Sequence, residues 1–194
     1  MKKYFNYLIF TAVIAVFTAG CTSAPSKFYT LNSAAVSDGK SQANYAVVVG
    51  PVSVPAEVDR PQFTVQVAPN RVEIDEFNRW AEPLNENIAR VIAADLSTLL
   101  GTPRVAAVSL ANFEPAYRVT IDIQKFESEP GHAAQIEAVW VVRKSVGGII
   151  FSGRTDANEL VKADGYDALA AAHSRALARI SSDIAAAIRA DAKP

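Results

Sequence analysis

The one cysteine of this 194-residue chain, Cys21, directly follows Thr18-Ala19-Gly20, an apolar run from Leu8 to Phe17 and the basic pair Lys2 and Lys3. A basic start, a short apolar stretch and small residues before a cut are the layout of a secretory signal. A spanning helix would need about 20 apolar residues. Residues 1–20 therefore read as a signal peptide, and the remainder as a chain that works outside the cytoplasmic membrane. A single cysteine permits no internal disulfide there, so the fold must be held by its core alone. Residues 21–194 suffice for one domain that buries about 70% of its unfolded surface. Removing Lys2 and Lys3 leaves 17 basic against 20 acidic side chains, a net charge of −3. That balance offers neither a basic stripe for nucleic acid nor a polybasic patch for anionic lipid.

A cysteine at the cut resembles the lipobox of bacterial lipoproteins, in which the thiol is acylated and becomes the first mature residue. Leucine usually stands three positions earlier, where this chain has Thr18. The resemblance implies three acyl chains on Cys21. One chain binds a membrane only marginally, whereas two or more hold it stably. Thr22 replaces the aspartate that often marks inner-membrane retention, which points to the outer membrane and its periplasmic face. With Cys21 acylated, no thiol is left for metal binding or nucleophilic catalysis.

The rest of the chain divides into 21–44, a lipidated tether with a short first strand and a flexible loop, then one domain over 45–190, and a tail over 191–194. Phe28 to Leu31 reads as the first strand and Ser33 to Asn44 as the loop. Tyr45 to Val54 is β-branched and apolar, as in a strand buried on both faces, with a bend or bulge at Gly50-Pro51. Phe63, Val65 and Val67, a turn at Pro69-Asn70, then Val72 and Ile74 predict a hairpin with one wet face. A helix is predicted from Pro83, with Leu84, Ile88, Val91, Ile92, Leu96 and Leu99 as its apolar stripe and Gly101 as its C-cap. Val105 to Val108 suggests a short strand. Tyr117, Val119, Ile121 and Ile123 alternate with polar residues until Phe126 falls out of phase, predicting a bulge or strand end. A turn at Glu129-Pro130-Gly131 leads to a return strand, Ile136 to Val142, and Gly147-Gly148 leads to Ile149-Ile150-Phe151. A last helix runs from about Tyr166 to Ala190. The order argues an α+β fold: a two-layer sandwich of a largely antiparallel sheet with two long helices on one face.

Three blocks carry a family resemblance: Val49-Gly50-Pro51-Val52-Ser53-Val54-Pro55, Val58-Asp59-Arg60-Pro61-Gln62, and Arg79-Trp80-Ala81-Glu82-Pro83-Leu84. With the lipobox and the early Phe28-Tyr29-Thr30-Leu31, the chain resembles the PqiC-type auxiliary lipoproteins of ABC-type transport over nearly all its mature length. The long polar loop before Tyr45 is a departure that touches loop length only. The resemblance implies a partner, an MCE-domain protein that bridges the periplasm, and a role as docking piece at the outer membrane in moving lipids between membranes.

Site chemistry points the same way. His132 and His173 are far apart, no His-x-x-x-His pair exists, and no metal or cofactor is expected. There is no Gly-x-Ser-x-Gly elbow and no phosphate-cradling glycine loop, and Glu73, Asp75 and Glu76 read as the wet face of a hairpin. The chain is expected not to be an enzyme. Arg79-Trp80 has two readings: Trp80 covers the helix entrance while Arg79 and Glu82 bond locally, or the corner is a partner surface rich in hot-spot residue types. Arg60 likewise serves a structural turn with an internal ion pair, or a partner. Val139 and Ile150 lie on strands apolar on both sides, so the free face of the sheet is expected to need cover from a homo-oligomer or an MCE subunit. The alternatives are a stand-alone envelope scaffold and a carrier of a lipid or small hydrophobe, which would need an enclosed apolar pocket.

Overall fold

The computed structural model of the protein describes residues 24–37, 39, 42–107 and 113–192. The signal peptide and Cys21 lie outside the described residues. The stripe that begins at Leu84 forms α1 (Leu84–Leu100), and Leu84, Ile88, Val91, Ile92, Leu96 and Leu99 are all buried. The chain leaves α1 through Gly101, whose φ of 64° and ψ of 37° lie in the left-handed region that a side chain would strain. The second helix, α2 (Tyr166–Ala192), buries Leu169, Leu177, Ile180, Ile184 and Ile188. Ala172 and Ala176, also fully buried, let its axis approach its neighbours closely.

Among the described residues eight strands form two sheets rather than one: β1 (Lys27–Tyr29), β2 (Val47–Ser53), β3 (Gln62–Ala68), β4 (Arg71–Trp80), β5 (Val105–Ala106), β6 (Tyr117–Glu129), β7 (Ala133–Lys144) and β8 (Gly148–Leu160). The larger sheet has the order β5-β2-β6-β7-β8 and the smaller β1-β4-β3. Most paired residues are antiparallel, but β1–β4, β2–β5 and β2–β6 run parallel. The α+β class holds, with α1 packed on β2 and β5 and α2 on β7 and β8. Val119, Ile121 and Ile123 of β6 and Ala134, Ile136, Ala138, Trp140 and Val142 of β7 are buried, which identifies the covered face.

The opposite face, expected to need cover, is part polar and part apolar. It carries the Glu137–Arg154 ion pair and a Gln135–Asp156 hydrogen bond of 2.9 Å. Beside them lie apolar side chains, the half-buried Val139 and Val141 and, opposite Ala133, the 72% exposed Leu160.

β8 extends to Leu160, well past the predicted Ile149 to Phe151. Its inward positions are small, because Trp140 of β7 lies across it: a Cβ at Gly153 would stand 2.3 Å from the indole. Bulk that would have marked the strand in sequence is supplied by its neighbour. In β6 the ladder slips between Ile123 and Lys125, so Phe126 marks a bulge and the strand continues to Glu129. In β2 a comparable slip between Val49 and Val52 falls at Gly50-Pro51.

The hairpin also differs from expectation. Phe63 pairs with Asp75 and Val65 with Glu73, whereas Thr64 pairs with Ile74 and Gln66 with Val72. Paired residues share a face, so Val72 and Ile74 point away from the face that carries Phe63 and Val65. The second strand thus turns its apolar residues to solvent.

The segment after β1 is irregular but tied down, not loose at its start. Asp95 of α1, fully buried, accepts from Ser33 Oγ (2.6 Å) and from the N–H groups of Ala34 and Ala35 (3.1 Å each). Its other oxygen accepts from Ser181 Oγ of α2 at 3.0 Å. Asn87 holds Leu31 by both backbone groups, at 2.8 and 3.4 Å. A buried carboxylate is costly unless each oxygen is bonded. Here those bonds join the N-terminal segment to both helices.

Candidate functional site: a cleft at the entrance to α1

The blocks that carry the family resemblance fold around one surface cleft. Trp80 N–H donates to Pro61 O at 2.6 Å and Ala81 N–H to Tyr29 O at 2.8 Å. These bonds clamp β1, the turn at 59–61 and the approach to α1 side by side. Between them lies a cleft of about 440 Å³, lined by Phe28, Asp59, Arg60, Pro61, Trp80, Ala81, Glu82, Pro83 and Leu84. The volume falls within the roughly 300–1,000 Å³ of ligand-sized sites. Its lining is mainly apolar, and Phe28 is 65% exposed.

Charge at the rim is uneven. Glu82 is neutralised by an ion pair with Arg90. Arg60 is exposed and makes no ion pair or hydrogen bond among the described residues. The internal ion pair expected for the Asp59-Arg60 turn is therefore not formed. Val58 and Asp59 instead donate their N–H groups to Pro55 O, at 3.0 and 3.1 Å, so backbone bonds hold the turn and leave the guanidinium free. Arg79 stands outside the cleft, its Nε donating to Glu76 O at 2.9 Å.

Trp80 turns inward and is 5% exposed. Its ring stacks on Phe63 with centroids 4.0 Å apart and meets Phe126 edge-on at 6.1 Å. Phe126 in turn stacks on His173 at 4.0 Å, the planes 6° apart. This aromatic column is the floor beneath the cleft and joins the small sheet to the large one.

His173 is fully buried, with Nε2 2.8 Å from Ser128 Oγ and no partner for Nδ1 among the described residues. Burial pulls its pKa from the usual 6.5 down to about 3, so the folded protein keeps it neutral. On unfolding it gains a proton below about pH 6.5. Stability therefore falls as pH drops from about 6.5 toward 3, by up to about 1.4 kcal/mol per pH unit. Urea midpoints measured between pH 7 and 4.5 should decline for the native chain and decline less steeply for His173→Phe. Equal slopes would contradict this account.

A second titration lies lower. Burial pushes the Asp75 carboxyl up, but bonds from Tyr166 Oη, the Asn78 side chain and the N–H groups of Asn78 and Phe77 outweigh it and bring it to about 2. Its contribution is present above about pH 4 and is lost only as pH falls toward 2.

The other candidates lie elsewhere. Val139 lines a shallow depression of about 240 Å³ with Pro51, Val52 and Val141, on the free face of the large sheet. The side chain of Ile150 and the whole of Cys21 lie outside what is described. The fold thus brings Arg60, Trp80 and Glu82 together and leaves Arg79 and Val139 apart. Phe28 was missed as a site residue, although Phe28-Tyr29-Thr30-Leu31 was among the segments carrying the resemblance. Among the described residues no three His, Cys, Asp or Glu side chains gather as a metal set.

The model of a family described as the ABC-type transport auxiliary lipoprotein component matches residues 29–185. No curated protein matches this sequence. Two crystal structures share the fold. One, of an uncharacterized protein, is 21% identical with a TM-score of 0.71, covering 85% of this chain and 99% of its own. The other, of protein XCC0632 from Xanthomonas campestris, of family DUF330, is 18% identical with a TM-score of 0.70, covering 87% of this chain and 100% of its own.

Proposed function

The chain belongs to the family of ABC-type transport auxiliary lipoprotein components, and from that premise we propose that it is the docking subunit of an MCE-type lipid transport system at the outer membrane. In this reading Cys21 carries the lipid anchor, the domain stands on the periplasmic face, and it contributes binding rather than catalysis. A periplasm-spanning MCE-domain protein is the partner.

The observation that carries the reading is the cleft at the entrance to α1. Its apolar lining and Arg60, exposed and without an ion pair among the described residues, suit an apolar side chain of the partner flanked by a carboxylate. Desolvated apolar anchors beside a charged contact are where interface energy concentrates. The cleft is open at the surface, which favours docking over carriage, because carriage needs an enclosed pocket.

The reading is tested by capturing the lipidated chain from native membranes in mild detergent and identifying what comes with it. An MCE-domain protein should be recovered with the native chain, and several-fold less with Cys21→Ser, since tethering raises the effective concentration of partners held at one membrane. Recovery of envelope proteins without any MCE domain would replace this reading with that of a scaffold.

A further inference from the structure

The distal half of the β3–β4 hairpin gathers exposed apolar side chains. Every residue from Gln66 to Ile74 is exposed or half-buried, yet Val67, Val72 and Ile74 are apolar and 38%, 45% and 44% exposed. Phe77, in the bulge that follows, is 43% exposed. Val72 and Ile74 share the face turned away from Phe63, and Phe28, opposite Arg79 and Gln62, lies on that same outer face. Single exposed apolar side chains need no explanation, whereas a cluster on a projecting hairpin marks a contact.

The direction of β1 says where this hairpin points. β1 runs parallel to β4, with Lys27 opposite Asn78 and Tyr29 opposite Trp80. The chain before Lys27 therefore heads toward the start of β4, the end that bears the Pro69-Asn70 turn. Cys21 precedes Lys27 by six residues, a reach of about 20 Å when extended. From Asn78 to the turn β4 spans roughly 25 Å. That reach is similar to the length of the hairpin, so an acylated Cys21 would hold the membrane within range of the hairpin tip.

We propose that the β3–β4 hairpin tip rests in the headgroup layer of the phospholipid bilayer, with Val67, Val72 and Ile74 as its apolar contacts. The inference rests on acylation of Cys21. Arg71 and Arg79 stand against Glu73, Asp75 and Glu76 in this region, so no net positive charge draws it to anionic lipid. The contact is apolar, insensitive to salt, and secondary to the anchor. It would fix the orientation of the domain instead of leaving it to swing on its tether.

The lipidated full chain is reconstituted into vesicles of phosphatidylethanolamine and phosphatidylglycerol, and intact mass is read first for acyl chains on Cys21. Because Cys21 is the one native cysteine, Ile74→Cys supplies a single free thiol for a bimane label. Val146→Cys, at an 86% exposed position in the β7–β8 turn, is the reference. Lipids with a nitroxide high on the acyl chain should quench the label at 74 roughly threefold more than the label at 146. Equal quenching on acylated protein would overturn the hairpin proposal while leaving the anchor intact. A mass without acyl chains would overturn the anchor reading itself, and the proposal with it.

Discussion

Trp80→Ala will destabilise the fold by about 3–5 kcal/mol and lower the thermal midpoint by roughly 10 °C. Trp80 belongs to β4 of the small sheet, yet its ring stacks on Phe63 of β3 and reaches Phe126 of β6 in the large sheet. The indole edge also approaches His173 of α2, at 6.3 Å between centroids. Truncation would open a cavity where three elements meet, and none of them can collapse into it without moving a sheet. Because Trp80 also lines the cleft, its loss should weaken partner capture, but only as a consequence of a loosened floor. Thermal melting of the variant settles the matter. A fall of less than about 3 °C would mean that the two sheets are joined mainly by other contacts.

Arg60→Glu should do the reverse. Arg60 is exposed and unpaired among the described residues, so reversing its charge leaves no buried group unsatisfied and the melting midpoint should move by less than about 1 °C. Partner capture should nonetheless fall about tenfold, because a carboxylate placed against the partner's carboxylate adds repulsion as well as removing attraction. Glu82→Gln offers a useful contrast. Glu82 already spends its charge on Arg90, so its loss should change capture far less. A variant that melts normally and still recovers the full amount of partner would remove Arg60 from the interface.

The parts of this fold that could be read from sequence are those whose partners are local. α1 was legible because its stripe, its Pro83 and its Gly101 all fall within one stretch of chain, and the structure buries the predicted positions. β6 was legible because Val119, Ile121 and Ile123 alternate with Arg118, Asp122 and Gln124. What was not legible depends on residues distant in sequence. The hairpin pattern did not reveal that Val72 and Ile74 face away from Phe63, because that follows from a one-residue slip in register between Gln66 and Ala68, beside the turn. β8 was underestimated because Trp140 fills the space over Gly153. The split into two sheets follows from β1 pairing parallel with a strand about fifty residues later.

The candidate site was legible in a different way. The Asp59-Arg60-Pro61 and Arg79-to-Leu84 blocks stood out as specific in combination, and the fold sets them on two sides of one cleft. Their individual roles were not legible. Whether a tryptophan faces core or partner, and whether an arginine is paired, depends on what lies across the gap. Trp80 found Phe63, and Arg60 found no partner among the described residues.

The most direct test of the docking claim places a photo-reactive residue at Ala81, an exposed position in the cleft, and irradiates intact cells that express the lipidated protein. The account predicts one dominant adduct whose second component is an MCE-domain protein, and predicts that Arg60→Glu in the same chain reduces that adduct about tenfold. An adduct made only with other envelope proteins, or one with an MCE protein that Arg60→Glu leaves unchanged, would contradict it.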